Sequence, residues 1–266
     1  MERFELVGPA GKLSGFSAGQ ASSASRLPVV LVHGINMSSD VWKEVAALLA
    51  HERRVVALDL RGHGASDKAG PFGAEDYASD VLATLDHLGL ARVHVAGTSF
   101  GGGVACAVAA RSPARVASLT AVGSALAVAG LDVEGAIQAL RAVGVRPFFA
   151  AFLPQSSFAP GTDPALVERA LGVAVEGRDV ETVIGVSRTA LASDLTATGA
   201  AVRVPALVVT GELDATCPPA LGAAMARTLR AEHRVIPGRG HVLSLEDPAA
   251  TARAIAEHAA AHEARA

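Results

Sequence analysis

The sequence predicts an α/β protein: a mostly parallel central sheet flanked by helices, with a block of helices inserted before its penultimate strand. Three observations carry this. Short, nearly continuous apolar runs recur at 28–32, 55–60, 93–96, 116–122, 206–210 and 234–236, as strands covered on both faces require. Amphipathic helical patterns alternate with most of them, which the crossovers of a parallel sheet need. Between Gly123 and Val204 that rhythm stops, and four helical patterns follow one another.

Taken in order, residues 2–7 and 13–17 read as a hairpin turning at Gly8-Pro9-Ala10-Gly11, followed by a loop rich in Ser and Ala up to Arg26. The helix expected over 40–50 puts Trp42, Val45, Ala46 and Leu49 on one face, and that over 74–88 does the same with Tyr77, Val81, Leu82 and Leu85. The strand at 93–96 breaks into Gly97-Thr98-Ser99-Phe100-Gly101 and resumes at once as a small-residue helix through Val104, Ala105, Cys106 and Ala107. In the inserted block, 132–143 ends at Gly144, 146–153 stops at Pro154, Asp163-Pro164 opens a segment closing at Gly177, and Asp179 caps one running to about 192. Pro218-Pro219 and Asp247-Pro248 are helix starts, the latter with Asp as N-cap and Pro at the first helical position. The division expected is a core of residues 1–123 and 204–266 and a helical lid of residues 124–203. Phe148, Phe149, Phe152 and Phe158, half of the eight phenylalanines, fall in that lid and suggest an apolar roof over a pocket.

At 266 residues and 50% hydrophobic content, the chain can bury the core of one domain with such a cap. A formal charge of -3 without any Lys/Arg cluster offers no electrostatic footprint for nucleic acid or an anionic membrane. Cys106 and Cys217 do not form a disulfide framework and are expected to be reduced thiols. The first residues lack an apolar signal core, and Gly, Arg or Pro interrupts the longer apolar stretches before a membrane span is reached, so a cytoplasmic protein is the expectation.

Gly97-x-Ser99-x-Gly101 between strand and helix is a nucleophile elbow: the turn is strained, glycines let neighbouring backbone approach, and Ser99 is left exposed at a helix N-terminus. A serine hydroxyl needs an imidazole within hydrogen-bond reach, itself oriented by a carboxylate. His33, His63 and His241 each follow an apolar strand. The remaining histidines are expected to be structural or solvated, with neither a His-x-x-x-His pair nor a metal-ligand cluster among them. Gly101-Gly102-Gly103 lacks the continuation of a nucleotide-binding loop, and close helix packing is the simpler reading.

Five motifs in order resemble the α/β-hydrolase family: His33-Gly34, Asp59-Leu60-Arg61-Gly62-His63-Gly64-Ala65-Ser66, Gly97 to Gly101, Gly211-Glu212-Leu213-Asp214 and Gly238-Arg239-Gly240-His241. The resemblance runs from about Pro28 to the final helix. It implies the order Ser99, Asp214, His241 for nucleophile, acid and base. His33 and His63 are then turn-forming and loop-anchoring residues, Glu212 is a packing or solvated carboxylate, and Asp59 locks a loop rather than taking part in chemistry. The amide of Phe100 supplies one oxyanion donor, and the resemblance gives the other to Ile35. The side chains of Ile35 and Phe100, with Phe148, Phe149, Phe152 and Val242, are expected to line the substrate pocket. Asn36 and Ser38 read as turn formers that could also meet a substrate.

Serine at 99 argues against relatives that open haloalkanes or epoxides with an aspartate. Gly-Thr-Ser at the elbow and Val242 after the base depart from carbon-carbon bond hydrolases, which tend to show Gly-Asn-Ser and Trp. What remains resembles carboxylesterases, enol-lactonases and cofactor-free haloperoxidases or perhydrolases. The expected reaction is hydrolysis of a carboxylic ester or lactone of a small, largely apolar substrate through an acyl-enzyme. No cofactor or metal is expected, the partner is the small molecule, and a homodimer stays open. The alternatives are perhydrolysis or carbon-carbon bond hydrolysis on the same triad, a ligand receptor, or a cofactor-independent oxygenase.

Overall fold

The computed structural model describes residues 1–19 and 26–263. The Ser/Ala-rich loop expected before Arg26 therefore lies largely outside the described residues. Eight strands form one sheet: β1 (Glu2–Gly8), β2 (Gly11–Ala18), β3 (Val29–Val32), β4 (Val55–Asp59), β5 (Val93–Thr98), β6 (Val116–Val122), β7 (Ala206–Gly211) and β8 (Glu232–Ile236). Their spatial order is β1-β2-β4-β3-β5-β6-β7-β8. The β1/β2 and β2/β4 pairs are antiparallel, and the remaining pairs are parallel.

The sequence explains this layering. Side chains alternate across a strand, so a continuous apolar run serves two cores at once. Val29 and Leu31 of β3 join one apolar cluster, while Val30 and Val32 join the other. The first face is covered by α1 (Lys43–Leu49) and α11 (Pro248–Ala261), the second by α2 (Ala74–His87), α3 (Phe100–Arg111) and α9 (Pro219–Leu229). After β3 the chain steps to β4 on one side, then to β5 on the other. The carboxyl ends of β3 and β5 are thus a topological switch point, where open α/β sheets form their ligand crevice.

Between β6 and β7 lie α4 (Val133–Val143), α5 (Val145–Ser156), α6 (Pro164–Val175), α7 (Val180–Leu191) and α8 (Thr196–Ala201). Asp132, Asp163 and Asp179 cap their helices by accepting from Gly135, Ala165 and Thr182 amides. Ile137, Leu140, Phe149, Leu153, Leu171 and Ile184 of this insertion belong to the same apolar cluster as Trp42 and Leu243, so it packs onto the sheet's first layer.

Several boundaries differ from expectation. Pro154 does not stop α5, which continues to Ser156; proline removes one donor, and Ser157 N–H still reaches Leu153 O at 3.0 Å. Residues 40–42 belong to a 3₁₀ turn (Ser39–Trp42) capped by Ser38 rather than to α1. Two short helices, α8 and α10 (Leu243–Glu246), were not anticipated, because neither is long enough to show a period. His258 of α11 and His262 just past its end form an i, i+4 pair with ring centroids 4.7 Å apart, contrary to the expectation of no His-x-x-x-His pair. Among the described residues no group of three or more His, Cys, Asp or Glu gathers to hold a metal, and no helix is long and apolar enough to cross a membrane.

One buried ion pair ties the loop after β4 to α2. Arg61 donates to Asp80 through Nε at 2.8 Å and Nη2 at 2.6 Å, with both side chains almost fully buried. Removing one partner strands a charge in the interior. Arg61→Met should destabilise the fold by about 3–5 kcal/mol in urea unfolding, and a loss below about 1 kcal/mol would show that the pair is solvated.

Candidate active site

The site grows from the turn between β5 and α3. Ser99 sits at φ 54° and ψ -128°, an unusual conformation for a residue with a side chain. The surroundings hold it there: its N–H donates to Val122 O at 2.9 Å, and Ser124 Oγ donates to its carbonyl at 2.8 Å. Close approach dictates the flanking glycines. A Cβ on Gly97 would lie 2.1 Å from Gly101 O, and one on Gly101 would lie 2.5 Å from Val32 O.

Asp214 lies in the loop after β7, buried, and its carboxylate is fully engaged. Oδ2 accepts from His241 Nδ1 at 2.9 Å, while Oδ1 accepts from the amides of Thr216 at 2.9 Å and Cys217 at 2.7 Å. The carboxylate cannot donate, so it fixes the His241 tautomer with the proton on Nδ1 and leaves Nε2 as the free acceptor. His241 N–H donates to Ser157 O at 3.0 Å, and Glu246 accepts from both Ala159 N at 2.8 Å and Gly240 N at 3.0 Å. The histidine loop is thereby bound to the segment that follows α5. Sequence reasoning missed these supports, as it did Thr216 Oγ1, which donates to Ser156 O at 2.7 Å.

Ser99 and His241 border one cavity of about 270 Å³, with Asp214 behind the histidine. Among the described residues no hydrogen bond joins Ser99 Oγ to His241 Nε2; such contacts often tighten only when substrate is present. The N–H of Phe100 opens α3 and that of Ile35 lies in the turn after β3, and neither donates to protein among the described residues. Ile35, Phe100, Phe148, Phe149, Phe152 and Val242 all line this cavity. Phe158 does not: it is buried beside Gly240, where a Cβ would meet the Phe158 backbone at 2.7 Å.

His33 and His63 are buried anchors of the loops around the cavity. His33 Nδ1 donates to Gly34 O at 2.7 Å and Nε2 accepts from Leu60 N at 3.0 Å. His63 Nδ1 donates to Arg61 O at 3.0 Å, and Nε2 accepts from Asn36 N, next to Ile35, at 3.1 Å. Asp59 accepts from the amides of Ser39 at 2.7 Å and Ala65 at 3.1 Å, locking the same region. Glu212 accepts from Gly238 N at 2.8 Å at the surface. Cys106 and Cys217 are free and buried, and burial pushes both thiols up to about 12.

Burial holds both histidines neutral, His33 down to about 4 and His63 well below the ordinary 6.5. With the folded pKa below the unfolded one, the unfolded chain binds the proton first as pH falls. The stability of neutral His33 is therefore complete above about pH 6.5 and is lost as pH drops toward 4. His33 and His63 shift in the same direction, so together they should weaken the fold as pH falls across that window. Urea midpoints measured from pH 7 to 4 check this, and a flat profile would contradict it.

Comparison with known proteins agrees with this architecture. The family model described as alpha/beta hydrolase fold matches residues 28–248. A relative, the dihydrolipoyllysine-residue acetyltransferase component of the acetoin cleaving system of Pseudomonas putida, is 36% identical over 82% of this chain, and the chain spans 60% of that relative's length. A thermophilic esterase from Thermogutta terrifontis superposes with a TM-score of 0.86 at 27% identity, covering 99% of this chain and all of the other. The enol-lactonase from Burkholderia xenovorans LB400 gives 0.88 at 24% identity over 96% and 99% of the two chains, a likeness of fold. With the sheet order, the elbow at its switch point and the family match over most of its length, the chain belongs to the α/β-hydrolase fold family.

Proposed function

We propose that this hydrolase cleaves a carboxylic ester or lactone of a small, largely apolar substrate. The single observation that carries the reading is the Asp214–His241 hydrogen bond of 2.9 Å on the wall of a cavity that Ser99 enters from a strained turn. In this reading Ser99 Oγ attacks the acyl carbonyl as His241 Nε2 takes its proton, and Asp214 stabilises the imidazolium. The N–H groups of Phe100 and Ile35 receive the oxyanion. The imidazolium then protonates the leaving alkoxide, and water, deprotonated by His241, releases the acid. The helices between β6 and β7 act as the lid, and their phenylalanines suit an apolar acyl or alcohol part.

Esters with acyl chains from short to long test the substrate side. An enclosed apolar cavity should give kcat/KM that rises with chain length and then falls; no hydrolysis of any member would overturn the reading.

A further inference from the structure

A polar seam reaches the wall of the apolar cavity, and its hydrogen bonds run in a single direction. Arg178, in the turn between α6 and α7, donates through Nη2 to Asn36 Oδ1 at 3.0 Å. Asn36 sits at φ 58° in the turn after β3 and donates through Nδ2 to Ser187 Oγ of α7 at 3.0 Å. A guanidinium has no acceptor, so it fixes which end of the Asn36 amide is oxygen. The nitrogen must face Ser187, and Ser187 must accept. Its own hydrogen is then left for something else. Burial lowers Arg178 to about 10, still charged at neutral pH, so the polarity of the chain is fixed.

That hydrogen has no protein acceptor among the described residues. Neighbouring hydroxyls on α7 and just beyond turn back onto their own helix, Thr189 to Gly185 O at 2.9 Å and Ser193 to Thr189 O at 2.7 Å, whereas Ser187 makes no such bond. Ser187 and Asn36 both border the cavity that holds Ser99 and His241. The seam also crosses from the core loop to the insertion, so it joins the two sides of the cavity.

We propose that the Arg178–Asn36–Ser187 chain presents the Ser187 hydroxyl to the cavity as an oriented donor, and that the substrate ester carries a second, neutral acceptor oxygen to receive it. A ketone or ether oxygen fits. Arg178 does not border the cavity, so a carboxylate placed there could not bond the guanidinium directly. Ser187 is in this sense a specificity-determining residue. The inference rests on the ester-hydrolysis reading above.

The test uses matched esters: methyl oxoalkanoates with the ketone placed successively further from the ester, each paired with the isostere in which C=O is replaced by C=CH2. At its best spacing the wild-type protein should favour the keto ester by about tenfold in kcat/KM, the worth of one buried hydrogen bond. Ser187→Ala should bring that ratio toward one. Asn36→Asp should do the same with Ser187 intact, since a carboxylate accepts the Ser187 hydrogen and withdraws it from the cavity. A wild-type ratio near one at every spacing, or a preference that survives both variants, overturns the inference. Fluorophosphonate labelling of Ser99 on the same preparations separates the two levels. Labelling with a ratio near one leaves the nucleophile reading standing alone, whereas absent labelling with no hydrolysis of either series removes both.

Discussion

Ser99→Ala should reduce ester turnover by on the order of 10⁴- to 10⁶-fold while leaving the protein folded. The loss is large because the proposed attacking oxygen is gone, and His241 and the two amides then have no nucleophile to serve. Residual rate would come from the oxyanion donors and binding alone. The fold should tolerate the change: Ser99 is held by its backbone N–H and C=O, through Val122 O and Ser124 Oγ, and no protein group depends on its side chain among the described residues. Unchanged turnover in a folded variant would exclude Ser99 as nucleophile.

Asp214→Asn should cost about 10³- to 10⁴-fold in kcat. Its Oδ1 contacts with the amides of Thr216 and Cys217 fix which end of an asparagine side chain is oxygen, so the loop should survive. The NH₂ group then faces His241 Nδ1 and can only donate, which drives the imidazole proton to Nε2. That nitrogen can no longer take the serine proton. A nearly wild-type kcat in this variant would mean that the 2.9 Å contact is structural only.

Much of the frame was legible because it depends on local pattern. The apolar runs at 93–96 and 206–210 read as strands buried on both faces, and β5 and β7 run parallel on either side of β6. The elbow was legible too, since its glycines answer to backbone approaches of 2.1 and 2.5 Å that no side chain would permit. His33 and His63 read as loop anchors, and their rings bridge backbone groups.

What escaped sequence reasoning depends on contacts distant in the chain. Asn36 read as a turn former, and it is one, but its partners Arg178 and Ser187 lie 142 and 151 positions away. Phe158 looked like a roof residue by proximity to Phe148, Phe149 and Phe152, yet the chain leaves α5 before it and buries it against the histidine loop. Pro154 looked like a helix stop, although its neighbours' bonds carry α5 another two residues.

The central claim is that Ser99 is an activated nucleophile, and intact-protein mass after treatment with a fluorophosphonate tests it most directly. The account predicts one covalent adduct on the wild-type protein and none on folded Ser99→Ala. A folded wild-type protein that takes up no label, or a Ser99→Ala variant that labels equally, would contradict it.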